Sequence, residues 1–143
     1  MTSPRLSALL FAFAAVAAAQ SAGPSPLANS RVFAYDQMPV RTGANGAVSR
    51  SVFTGSLATG EAVAVHETTQ PAGTIPNAPH RIQHSEVIVV REGTIEFDHD
   101  GKAERAGPGS VVYVAFGTLH SVKNVGDGPA SYVVVQIGGD TKK

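Results

Sequence analysis

The chain contains no cysteine and no tryptophan, few aromatic residues (6% in all) and no surplus of charge, with 11 Lys plus Arg against 11 Asp plus Glu. Without cysteine there can be no disulfide and no thiolate metal site, so stability must come from an apolar core. The even charge balance, with no basic run, excludes a nucleic-acid surface and a patch for anionic membranes. Long helical periodicity is also missing. After residue 31 no apolar stripe at 3.6-residue spacing persists for twelve residues.

One long apolar run exists, at the N-terminus. Residues 6–19 (LSALLFAFAAVAAA) follow the single charge of Arg5. The run is shorter than the ~20 residues of a membrane span and has the pattern of a signal peptide. The expectation is a signal over residues 1–19, cleaved between Ala19 and Gln20, and a secreted or periplasmic protein with no membrane attachment afterwards. Residues 20–30, with Pro24 and Pro26, read as a linker. Residues 31–140 then form one domain. Loss of Arg5 leaves ten basic against eleven acidic residues, a net of −1.

Valine, threonine, phenylalanine and tyrosine instead fill short runs punctuated by glycine. Residues 31–36, 47–57, 61–69, 85–91, 94–98, 110–115, 119–124 and 131–137 read as strands. The turns between them include Thr59-Gly60, Glu92-Gly93, Asp100-Gly101 and Gly107-Pro108-Gly109. The fold class is all-β, an antiparallel sandwich or barrel. Residues 94–105 read as a hairpin around Asp100-Gly101, which makes His99 an exposed turn histidine. Val87 and Val89 are apolar on the strand face opposite Glu86, so that face needs a cover, either the N-terminal segment or a second subunit.

Two polar clusters border the apolar runs. PHRIQHSEVIVVREG (79–93) supplies His80, His84 and Glu86, and GSVVYVAFGTLHSVKN (109–124) supplies His120. Imidazole and carboxylate groups beside buried strands point to a transition metal (Mn, Fe, Ni, Cu or Zn) inside a barrel, because mixed N/O ligands suit these ions better than Ca or Mg. His84 and Glu86 lie two apart on a strand, ~6.6 Å along the chain, and share a face. His80 reaches the same point only if the segment curls, which Gly73, Pro76 and Pro79 favour. His66 could face the cavity from an adjacent strand but is left out of the site.

These clusters resemble the two motifs of the cupin family, G-x5-H-x-H-x3/4-E-x6-G and G-x5-P-x-G-x2-H-x3-N. His80, Glu86 and Gly93 fall at the spacing of the first, and Gly109, Gly117, His120 and Asn124 at that of the second, with Ala115 in place of proline. The resemblance implies a double-stranded β-helix (jelly-roll) barrel and a site of three histidines and one glutamate. Ile82 occupies the position of the family's second histidine. His84 either replaces that ligand or contacts the others or the substrate, or else the chain is a cupin that has lost its metal. The metal set so read is His80, His84, Glu86 and His120. By resemblance the protein is an enzyme of dioxygenase, decarboxylase or isomerase type acting on a small oxygen-rich molecule, or else a non-catalytic binding module. It is also expected to be a homodimer.

Overall fold

The computed structural model describes residues 27–141. The expected signal at 1–19 and most of the 20–30 linker lie outside the described residues. Ten strands follow in order: β1 (Val40–Thr42), β2 (Val48–Ser56), β3 (Ala62–Gln70), β4 (His80–Arg81), β5 (Ser85–Glu92), β6 (Ile95–His99), β7 (Lys102–Ala106), β8 (Val111–Val114), β9 (Leu119–Asn124) and β10 (Ala130–Ile137). They form two sheets, β1-β2-β3-β10-β5-β8 and β4-β9-β6-β7. Every pairing is antiparallel.

Alternate residues of each strand face the partner sheet, as a pleat with a two-residue period requires. Ile88 and Val90 of β5, Val114 of β8, Tyr132 and Val134 of β10, and Ile95 and Phe97 of β6 meet in one buried cluster that also holds Ile82. The continuous apolar run of β5 therefore has two destinations: Ile88 and Val90 are buried, while Val87 and Val89 remain half-buried on the outer face.

Three local features differ from the sequence reading. Residues 31–36 form no strand; the segment leads into a short 3-10 turn, Tyr35–Gln37. Phe33 instead packs on Phe53 of β2, ring centroids 5.1 Å apart, so the segment acts as a cover. The edge strand β1 and the two-residue β4 carry too few side chains to show a period. His99 is the last residue of β6 and not an exposed loop residue. Its side chain is 21% exposed, stacks on Phe97 at 4.7 Å and bonds Glu104 at 2.6 Å.

Candidate functional site

The curl that His80 requires is present between β4 and β5. His80 and Arg81 pair with His120 and Leu119 of β9. The chain then turns through Ile82, whose carbonyl accepts from the Gly117 N–H at 3.0 Å, before β5 begins at Ser85. Register across the sheets does the rest. His80 stands opposite His120, their rings 4.7 Å apart, and Glu86 stands opposite Gln136 of β10 and Val114 of β8.

Between the sheets lies a cavity of about 210 Å³ lined by His80, His120, Glu86 and Gln136 and, further along β3 and β10, by Thr68, Gln70 and Tyr132. His66, Ile88 and Val134 share a level between these poles, and Val122 also lines the wall. A larger depression of about 470 Å³, at the rim near Arg81, His99 and Lys102, touches only His120 of this set.

Of the four expected ligands, three line the cavity: His80, Glu86 and His120. His84 is buried but does not line it. Its Nε2 lies 2.9 Å from Glu86 Oε1, and its Nδ1 lies 2.6 Å from Asp140 Oδ1. Both ring nitrogens thus face carboxylate oxygens, an arrangement that favours the protonated ring. Burial pulls the His84 pKa down, but the hydrogen bonds and charges of Asp140 and Glu86 outweigh it and leave the pKa raised. His84 thus braces Glu86 from behind, and Gln136 Nε2 donates to the same Oε1 at 3.0 Å.

His66 is the residue that motif spacing does not assign to the site. It comes from β3, paired with Val134 of β10, and lines the cavity from that adjacent strand. Burial lowers its pKa against the opposing pull of Glu86. The same cause lowers that of His120. Both imidazoles are therefore neutral at neutral pH, the form that ligates metals or accepts protons.

In kind, these donors suit a divalent transition metal. Glu86 Oε2 and His120 Nε2 stand 3.7 Å apart. That is too long for a hydrogen bond and compatible with an ion bonded to both at ~2.1 Å. His120 Nδ1 is buried without a hydrogen-bond partner; the Thr118 backbone nearby favours the protonated ring but stands outside bonding geometry. A third donor has to move. Among the described residues no three His, Cys, Asp or Glu stand together closely enough to hold an ion, and His80 is exposed at the cavity wall.

The cupin-domain family (Cupin_2) matches residues 65–136, about half of the chain and the part that builds the cavity. The protein belongs to the cupin superfamily. Solved structures agree on the fold. KdgF from Halomonas sp. superposes with a TM-score of 0.65 at 15% identity, covering 78% of this chain and 97% of that one. An RmlC-like cupin from Shewanella frigidimarina gives 0.62 at 18%, covering 78% and 94%. A cupin-superfamily sugar phosphate isomerase from Silicibacter pomeroyi gives 0.62 at 17%, covering 79% and 76%. No curated protein matches the chain.

Proposed function

We propose that this cupin is an exported enzyme that binds a small oxygen-rich organic molecule in the inter-sheet cavity, with one divalent transition metal (Mn, Fe, Ni, Cu or Zn) held by His80, Glu86 and His120 beside His66. The observation that carries the reading is the buried pair Glu86 Oε2 and His120 Nε2, facing one another at 3.7 Å inside the cavity. Bound there, the ion would supply a Lewis acid for a substrate oxygen.

The chain's own residues supply the rest. His84 and Gln136 fix one oxygen of Glu86 and leave the other turned inward. His66, neutral and at the wall, is suited to take a proton from a bound molecule. Ile88, Val122 and Val134 limit water between the poles. His84 is a positioning residue in this scheme, and Asp140 holds it in turn. Dioxygenase, decarboxylase and isomerase chemistry all remain compatible with this set.

A second reading, a binding module without turnover, is favoured by the burial of Ile82 at the position where the family carries a histidine. The two readings part on experiment. Metal analysis of protein recovered from outside the cytoplasm should find one transition metal per chain, with an N-terminus at Gln20 by intact mass. His120→Ala and Glu86→Ala should each weaken metal binding beyond the ~10–100-fold typical of losing an outer-shell partner. His99→Ala should leave binding unchanged. Equal metal content in all three variants would defeat the ligand set. Oxygen uptake or product formation from catechols, flavonoids or small keto acids by the loaded protein separates enzyme from binder.

A further inference from the structure

The far pole of the cavity has a feature that metal chemistry does not use. Gln70, the last residue of β3, is 4% exposed. Its Nε2 donates to the Val122 carbonyl at 3.2 Å and to the Tyr132 hydroxyl at 3.1 Å. A carbonyl can only accept, so the Val122 contact fixes which end of the carboxamide is nitrogen. Gln70 Oε1 is thereby left as a buried acceptor with no partner. The backbone beneath it is anchored: Asn124 Nδ2 donates to the Gln70 backbone carbonyl at 3.0 Å and to the Gly128 backbone carbonyl at 2.8 Å, and Asn124 Oδ1 accepts from the Gly126 N–H at 2.9 Å. An acceptor held this firmly and left empty costs free energy unless something donates to it.

Tyr132 stands beside it. Burial pushes its phenol up to about 12, so it keeps its hydrogen across the physiological range. Gln70 donates to the phenol oxygen, and the Thr68 side chain, on the same cavity wall, is a second hydrogen-bond neighbour of that phenol. One free acceptor and one hydroxyl donor side by side match a group that both donates and accepts, and an aliphatic hydroxyl is the simplest such group. We propose that Gln70 and Tyr132 form a specificity subsite for a hydroxyl of the bound molecule, which makes the ligand a small polyhydroxylated compound, sugar-like or polyol-like, rather than a merely oxygenated one. This rests on the reading that the cavity binds a small molecule. Its size agrees: about 210 Å³ lies below the ~300–1,000 Å³ of pockets for drug-sized ligands.

Three neutral molecules of one ring skeleton test it: tetrahydropyran with no hydroxyl, 4-hydroxytetrahydropyran with one, and xylose with several. Titrations are followed by NMR on the purified full protein in excess chelator. Neutral probes in chelator read this pole whether or not a metal binds, so failure here is distinguishable from failure of the metal reading. Xylose should bind at least about tenfold more tightly than tetrahydropyran, with the single alcohol between them. Gln70→Met, which keeps length and removes the acceptor, should reduce that ratio to below about threefold. Tyr132→Phe should reduce it in part. If Gln70→Met does not fold, the wild-type series and Tyr132→Phe still decide. Equal binding of the three by the wild type, binding of none, or a full hydroxyl preference in either variant would overturn the subsite.

Discussion

Ile82 shows how far a motif register reaches and where packing takes over. Counting from His80 and Glu86 puts Ile82 at a histidine position, so from sequence Ile82→His either restores a ligand or, if His84 has taken over that role, gains little. In the fold, Ile82 is 4% exposed and clustered with Ile88, Val90 and Val114. An imidazole there would replace packed methyl groups and bring polar atoms without partners. Ile82→His should therefore lower unfolding stability by roughly 2–4 kcal/mol and bring no gain in metal affinity. Denaturant unfolding and chelator competition on the same preparation check both halves. Tighter metal binding at unchanged stability would overturn both and make position 82 a ligand position. The proximity of His84 to Glu86 was legible, because residues two apart on a strand share a face. Its engagement was not, since the second partner, Asp140, lies 56 residues away. For His66, likewise, a single strand shows which residues share a face but not which face meets the cavity.

Among the elements, the hairpin of β6 and β7 was the easiest to read. Asp100 and Gly101 both adopt positive φ, 46° and 80°, and His99 pairs with Lys102 across the turn. That is the two-residue turn whose twist matches paired strands. Short or unpaired pieces were not legible: β4 exists because β9 offers it a partner, and 31–36 lacks one. Gly93, between β5 and β6, carries two constraints that sequence shows only as a turn. Its φ is +72°, and an added Cβ would collide with the Pro129 carbonyl oxygen and stand 2.7 Å from Ala130 Cα. Gly60, at φ +101°, has open space around it. Gly60→Ala should cost about 1 kcal/mol for the backbone alone, and Gly93→Ala at least ~2–3 kcal/mol more, because β5 and the start of β10 must separate. Thermal unfolding of the two variants gives the comparison. Equal losses would mean that the approach of Gly93 to Ala130 relaxes freely.

On the scale of the whole molecule, the all-β class and the facing of two sheets follow from the short alternating runs and glycine turns. The outer surface follows less directly. Phe53, Val65, Val135, Val87 and Tyr113 stand in one row across β2, β3, β10, β5 and β8. The N-terminal segment covers the β2 end of this row through Phe33. At the β8 end nothing within the described residues covers it, and Tyr113 and Val111 are 66% and 64% exposed. β8 is also the last strand of its sheet, with one side unpaired. An apolar row that ends on an open edge favours association, and a second copy brings an identical row that can meet it about a two-fold axis. The expected solution state is a homodimer through the β8 end. Tyr113→Lys sets like charges against each other across that axis, and Val40→Lys, on the opposite edge strand, serves as the control. Sedimentation should show a dimer for the wild type and Val40→Lys, and a monomer for Tyr113→Lys with unchanged far-UV dichroism. A wild-type monomer, or a Tyr113→Lys dimer as tight as the wild type, would mean that this row is not the contact. The exposed β8 end would then have to be tolerated by a lone barrel, as isolated surface hydrophobics commonly are.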